Sequence, residues 1–530
     1  MPLSSARHRS SWTGILVFVV LMGLQAAGAW AQGRTDFLNV ESPQVHPIEV
    51  ARVGGHDYLL VCNTPDNSLE IWDTDESIPV SARFLARVPT GLRPVSVRYH
   101  AGLHRAFVAN FLGDSVTAVD LAAPSGPPSL SARVLRTTWV GDEPMDLAFY
   151  SFDETDPDSG ITTHHDTLFL THMTLDGFGW FDALTLAAVA PGLERVNAEV
   201  TKTTDRDGDG NPDNIAIKEP RAITLDCGNV VILGMKGGAT ADFDFDVYFL
   251  DTTSGVARDL GGLGSTNFNM AFTSGDDLLV VGGEAQNQVR RDEAVVAAAP
   301  TGFVEHTFYF VENACGDGPM IHRRDVNLEA GVVVGPSHAT AAGAAAVAGP
   351  VPAVAPVPKA KALAQLTSVV PFEVDGQPLK AFFTAFGSDR IGVIEPSGTT
   401  TPNLWPLRRM AVPVATGSTN PRSGPRGLAL KRPNPSQLSD PGNRLYSLNR
   451  LDNSVSIFDP VTETWVGDFT LNQDPTPAWI RTGQQFLYSA DFSGNGFNSC
   501  ASCHTDARTD GLAWDLGDPA GGSVPIPPGL

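Results

Sequence analysis

The feature that most constrains the fold is an eleven-residue segment that occurs three times. It runs from Asn63 to Asp73, from Asn110 to Asp120 and from Asn449 to Asp459. Each copy has Asn, two free positions, a turn pair (Asp66-Asn67, Gly113-Asp114, Asp452-Asn453), then Ser and alternating apolar residues ending in Asp. An apolar run precedes each copy: Leu59-Leu60-Val61, Ala106-Phe107-Val108 and Leu445-Tyr446-Ser447-Leu448. Asn, Asp and Gly tolerate the left-handed backbone of a tight turn, and alternation after the turn buries one strand face. The pattern therefore predicts a β-hairpin at each copy. Weaker copies lie at His172–Asp182 and Ala385–Glu395, with turns at Asp176-Gly177 and Ser388-Asp389.

A further strand with a Pro or Gly at its start lies upstream of several copies: Arg93-Pro94-Val95, Glu143-Pro144-Met145 and Pro425-Arg426-Gly427. Two more strand pairs are read at 222–251 and 267–289. The 47 residues from Asn63 to Asn110 are close to the ~40–45 of a four-stranded propeller blade. Blades cannot bury their faces alone, so the array should close into a ring. The fold class is all-β: a β-propeller of about seven blades over residues 45–485. The 52 Gly and 40 Pro suit such a turn-rich chain. Residues 339–364 are nearly all Ala, Val, Pro and Gly and read as a low-complexity loop between blades. The repeated Asn…Asp-Asn-Ser-Val-x-Ile-x-Asp segments resemble the YVTN-type propellers, which include YncE-like periplasmic proteins. That resemblance implies a ring that binds partners or substrates; the fold itself names no reaction.

The N-terminus reads as an address. Arg7, His8 and Arg9 precede a nearly continuous apolar run from Gly14 to Leu24, and Ala29-Trp30-Ala31 supplies a peptidase site. Residues 1–31 are expected to be a signal peptide, and the mature protein periplasmic or secreted. No later segment has the ~18 apolar residues of a membrane span. With 36 Lys+Arg against 59 Asp+Glu, the net charge is −23. There is no excess of cations to neutralise phosphates, so nucleic acid is excluded as a partner; an acidic surface suits basic partners or cations.

The motif that carries chemistry is Cys500-Ala501-Ser502-Cys503-His504. Two thiols at this spacing add to the two vinyl groups of a haem, and the adjacent His ligates the iron. There is no second Cys-x-x-Cys pair to complete a zinc site. The expected cofactor is one covalent haem c held by Cys500, Cys503 and His504. The flanks, Phe486-Leu487-Tyr488 and Ser493-Gly494-Asn495-Gly496 before the motif and Asp510-Gly511-Leu512-Ala513-Trp514 after it, resemble the first haem domain of bacterial dihaem cytochrome c peroxidases and their MauG-like relatives. Residues 486–530 accordingly read as a partial, helical c-type cytochrome segment fused to the propeller. No second Cys-x-x-Cys-His exists, which speaks against the two-haem peroxidase chemistry of that group. Electron transfer with a redox partner protein is the leading function; a peroxidase or oxidase, and a binding module with a vestigial haem segment, are the alternatives.

Only the 26 residues from Thr505 to Leu530 follow His504, and among them Ser523–Gly529 is too rich in Pro for a helix. The last Met is Met410 and no His follows His504. The sixth coordination position is thus expected to be filled from the propeller (Met410 or a His), to be open, or to be filled by a part of the domain that a truncated sequence leaves out; we favour the last.

Three further groups of residues stand out in the sequence. Asp205, Asp207, Asp209, Asn211 and Asp213 place oxygens at alternate positions with Gly210 at the sixth, as in an EF-hand-like calcium loop. Ala216 stands where the bidentate Glu belongs, which is closer to the loops of dockerins or thrombospondin type 3 repeats. His164, His165 and His172 share one predicted strand, whose alternation keeps them from converging on a metal. Of Cys62, Cys227 and Cys315, at most two can pair, and Cys62 and Cys227 read as buried free thiols in strands. No phosphate-binding loop and no nucleophile elbow is present.

Overall fold

The structure is a computed structural model. It describes residues 41–510 except 124–128, 156–158, 174–176, 188–195, 198, 202–213, 217, 237–245, 253–256, 286–302, 317, 330–355, 375, 435 and 438–439. It is a seven-bladed β-propeller. Each blade is an antiparallel four-stranded sheet paired in chain order. The first is built from Ile48–Val53, His56–Asn63, Ser68–Asp73 and Phe84–Pro89. The first strands of the seven blades face the axis: Ile48–Val53, Pro94–His100, Pro144–Thr155, Lys218–Asp226, Thr266–Phe272, Leu366–Phe372 and Pro425–Lys431. The fourth and fifth blades are also joined by one pairing, Lys236 with Thr266.

The repeated segment forms the turn between the second and third strands of a blade. The second residue of each turn pair is left-handed: Asn67 (φ 53°), Asp114 (48°), Asp389 (51°) and Asn453 (50°). The leading Asn closes the hairpin from its far side. Asn110 Nδ2 donates to Ser115 Oγ (3.2 Å) and Thr117 Oγ1 (3.0 Å), and Asn449 Nδ2 to Ser454 Oγ (2.9 Å) and Ser456 Oγ (2.8 Å). These groups are buried, where an unpaired amide is costly. The left-handed residue also reaches the next blade. Asn67 Oδ1 accepts from Arg93 N (2.8 Å), Asp114 Oδ1 from Glu143 N (3.2 Å) and Asp389 Oδ1 from Gly424 N (2.8 Å). One turn position, filled by Asn or Asp, therefore sets the hairpin and staples it to its neighbour.

The ring closes where the seventh blade meets the first. Ile48, Leu59, Val61 and Trp72 pack with Tyr446, Leu448, Val455, Ile457 and Phe469, all buried. Burying a side chain of this size contributes roughly 1.5–3 kcal/mol, so closure is a hydrophobic seam. The segment just before the first strand runs along the axis: Val45 N donates to Val95 O (3.1 Å), and Asn269 Nδ2 reaches Val45 O (3.2 Å) from across the ring.

The cysteines correct one expectation. Cys227 is not a free strand thiol. It sits left-handed (φ 51°) in the turn between the fourth blade's first two strands and is disulfide-bonded to Cys315, beside the fifth blade. The apolar run around it ends at Asp226, and the following Gly228 makes the turn. Cys62 is buried and free, and burial pushes its thiol well above the usual range.

Candidate functional site: a Cys-x-x-Cys-His loop over the propeller axis

After the last blade strand, Thr464–Thr470, the chain turns through Pro475 and Pro477 into a helix, Ala478–Tyr488. Pro477 is extended, which ends the preceding segment and opens the helix. The helix stops at Ser489, whose hydroxyl accepts from Asp491 N (3.3 Å) and starts the turn Ala490–Phe492. Gly496 then takes a left-handed turn (φ 77°), and Ser499 and Ser502 cap each other's backbone around the turn Cys500–Ser502.

This segment lies over the axis because several blades grip it. Arg508 pairs with Glu143 of the third blade's start. His306 Nε2 of the fifth blade donates to Phe497 O (2.6 Å), and Asn498 Oδ1 accepts from Val304 N (3.1 Å). Lys359 Nζ donates to Asp491 O (2.6 Å) and Ser493 O (2.7 Å) on the approach to the sixth blade. Gln365 Nε2 donates to Tyr488 O (3.2 Å) and to Ser499 Oγ, and Arg422 pairs with Asp491. The tightest grip is at Asp506. Its carboxylate receives Arg221 Nη2 from the fourth blade (2.7 Å) and Arg426 Nη2 from the seventh (2.6 Å), and all three side chains are at most 2% exposed. Burial alone would raise the Asp506 carboxyl; the guanidinium groups of Arg426, Arg221 and Arg450 outweigh it and hold it far below the usual range. Asp506 and Ala507 are both left-handed (φ 50° and 61°), a conformation non-glycine residues keep only when their surroundings enforce it.

The motif sits on top of this clamp. Cys500 is exposed and Cys503 half-buried, and neither is in a disulfide. Burial, with Asp510 and Cys500 adding to it, pushes the Cys503 thiol up to about 12. His504 is exposed, and its Nδ1 is 3.1 Å from Arg508 O. Nδ1–H donating to that carbonyl leaves Nε2 free, the arrangement that orients a metal-ligating imidazole. Two free thiols and a fixed imidazole on an accessible loop are a donor set that fits a c-type haem.

Other predicted residues fall elsewhere. Asp205, Asp207, Asp209, Asn211 and Asp213 lie outside the described residues, between the paired short strands Glu199–Thr201 and Asn214–Ala216. His164, His165 and His172 share the strand Thr162–His172 and diverge: His164 pairs with Asp153 and Asp166, His165 with Glu154, while His172 is buried with Nδ1 3.1 Å from Asp142 O. Met410 packs among Phe382, Ile391, Val393 and Phe458 between the sixth and seventh blades. Of the propeller histidines, His306 touches the loop, and both of its ring nitrogens are engaged, by Phe497 O and by Gln365 N (3.3 Å).

Sequence reasoning missed the clamp. A signal exists: the first strands of the fourth and seventh blades carry Pro220-Arg221 and Pro425-Arg426, where those of the second and third carry Pro94-Val95 and Pro144-Met145. Two arginines at positions that elsewhere point into an apolar core require a buried anion. A second polar cluster on the axis was also missed: His46 Nδ1 donates to Asp146 Oδ2 (2.7 Å), which also accepts from Ile223 N (3.0 Å), and Asn269 Nδ2 is 3.2 Å from His46 Nε2.

No protein-family model matches this chain, and no curated protein matches it. Solved structures do. Kuenenia stuttgartiensis hydrazine synthase superposes with a TM-score of 0.50 at 13% identity, over 80% of this chain and 97% of that one. A functionally unknown protein from Desulfotomaculum acetoxidans DSM 771 gives 0.42 at 11% identity, over 78% and 94%. The dihydro-heme d1 dehydrogenase NirN, in complex with DHE, gives 0.40 at 13% identity, over 82% and 67%. At these identities the likeness is one of fold. Among the described residues, no helix is long and apolar enough to cross a membrane.

Proposed function

We propose that this chain is an exported c-type haem protein that carries electrons through one haem attached covalently to Cys500 and Cys503 and ligated by His504. The observation that carries the reading is the Cys500-x-x-Cys503-His504 loop, with both thiols free and the imidazole anchored to Arg508 O. Such a haem supplies an iron that cycles between two oxidation states; the chain sets its potential through ligation, hydrogen bonding and burial. The residues around the loop hold it still. The Asp506 clamp and the His306–Phe497 bond fix the backbone on both sides of His504 and would hold it in place as an iron ligand. The exposed Cys500 and His504 leave the site accessible to a redox partner protein, and the net charge of −23 favours a basic one. The segment 486–530 belongs, on this reading, to a partial cytochrome domain of the MauG-like kind, and residues 1–31 to an export signal.

The test is optical. Protein made in a host that matures c-type cytochromes should show reversible one-electron reduction and a low-spin spectrum indifferent to carbon monoxide. Carbon monoxide binding would move the assignment to an enzyme, and protein with no haem would leave a binding module. We further propose that Asp205–Asp213 binds Ca²⁺; calcium should then raise the melting temperature by mass action, and Asp207→Ala with Asp209→Ala should abolish the rise.

A further inference from the structure

The imidazole of His504 is held by a relay that begins in the propeller. Its Nδ1 is 3.1 Å from Arg508 O. A carbonyl only accepts, so Nδ1 carries the proton and Nε2 keeps its lone pair. The bond selects that tautomer only while the carbonyl stays in place, and three contacts of Arg508 keep it there. Its N–H donates to Thr505 O (2.9 Å). Its guanidinium lies over the ring of Phe111 in the second blade, 5.3 Å from the centroid, and pairs with the carboxylate of Glu143 at the entry to the third.

Glu143 owes its own place to the ring. It is left-handed (φ 49°), its N–H donates to Asp114 Oδ1 (3.2 Å) and its carbonyl accepts from Met173 N (3.1 Å). A non-glycine residue keeps this conformation only where its surroundings enforce it. The same blade-entry position is left-handed at Arg93 (φ 56°) and Gly424 (φ 63°), where Asn67 and Asp389 accept from the backbone N–H. That staple uses the backbone alone, and the side chain varies from Arg to Glu to none. The staple therefore does not account for the Glu143 carboxylate, which pairs with Arg508 beside the motif instead.

We propose that Glu143 is a positioning residue for His504: through Arg508 it holds the carbonyl that keeps the proton on Nδ1 and leaves Nε2 ready for the iron. This rests on the haem attachment proposed above. Hydrogen bonding at Nδ1 makes Nε2 the stronger donor, which favours the ferric state and lowers the reduction potential. A carboxylate of the third blade thus sets a property of the cap.

The test uses the full-length protein in two forms. In Cys500→Ala/Cys503→Ala, which lacks the tether, imidazole nitrogen NMR shifts are assigned to His504 by their loss in His504→Gln. They should show the proton on Nδ1. Adding Glu143→Gln should return the ring to the tautomer mixture of the denatured chain. Limited proteolysis should find residues 478–510 as protected as before, since the Asp506 clamp is untouched. In the holoprotein, Glu143→Gln and Arg508→Met should each favour the ferrous state by roughly tenfold, a rise of 59 mV for one electron. The two together should go no further than either alone, because they break one relay. Arg508→Lys, which keeps a cation for Glu143, should stay near the wild type. An unchanged tautomer and potential in Glu143→Gln overturns the proposal and leaves the attachment intact. So does a change that comes with lost protection of the cap, which makes the pair a general anchor. Protein that acquires no covalent haem overturns the functional reading, and this proposal with it.

Discussion

The blades and the loop that caps them are joined by different bonds. Blade to blade, one short side chain does the work each time: Asn67, Asp114 and Asp389 stand at the same turn position and accept from the chain as it enters the next blade. The cap has no such repeat. Arg221, 285 residues before Asp506, and Arg426, 80 residues before it, converge on its one carboxylate. The ring thus distributes its stability over many modest, equivalent contacts, whereas the cap concentrates it in one buried ionic group. In a repeat array a lost contact is local; in a buried charge cluster a lost member leaves the others unpaired.

Breaking the clamp should give the largest effect. Asp506→Ala leaves two buried guanidiniums without their carboxylate and should cost about 3–5 kcal/mol, read as lost protection of residues 478–510 in limited proteolysis. If the cap stays protected, the clamp is not what holds it. Asp506→Asn should be intermediate, since it keeps two acceptor directions on one oxygen but removes the charge.

The pH dependence sharpens the same contrast. Burial pushes the His306 imidazole down to about 4, against the smaller upward pull of Phe497 O. The folded value is below the unfolded one, so the unfolded chain binds more protons between them. His306 therefore contributes its stability above about pH 6.5, and loses it as pH falls towards about 4, with a full effect of about 3 kcal/mol. His306→Gln should flatten the pH profile of the melting temperature over that window; an unchanged profile would remove His306 as the cause.

The blades were legible because their polar groups recur. Asn63, Asn110 and Asn449 mark hairpins for a physical reason, the buried amide that must reach the next strand: Ser and Thr receive it after Asn110 and Asn449, Glu70 after Asn63. The sixth blade is fainter because Ala385 stands where Asn belongs, yet Asp389 still makes the left-handed turn and the staple. The fourth and fifth blades lack the pattern and were read only as strand pairs. The Cys500–His504 motif was legible as local chemistry. Its clamp was not: Arg221 and Asp506 are 285 residues apart, and no local rule couples them. Cys227 misled because the apolar strand leading to it looks like a core strand until the turn at Gly228.

The staples should show the smaller effects. Asp389→Ala removes an acceptor from Gly424 N and Ser423 Oγ (3.1 Å) and places Ala at a left-handed position; about 2 kcal/mol is expected. Asn110→Ala should cost about 1 kcal/mol, because Thr117 Oγ1 retains its bond to Thr137 Oγ1 (2.9 Å). Chemical denaturation of each variant measures both. A loss at Asp389 as large as that at Asp506 would erase the distinction between ring and cap.

We propose above that this loop is a covalent haem site mounted on a propeller. It is tested most directly by denaturing purified protein in acid and organic solvent and measuring what remains bound. One haem per chain should remain attached to the peptide containing Cys500 and Cys503, and none in Cys500→Ala/Cys503→Ala. Haem that extracts completely from the wild type, or that stays on the double mutant, would contradict it.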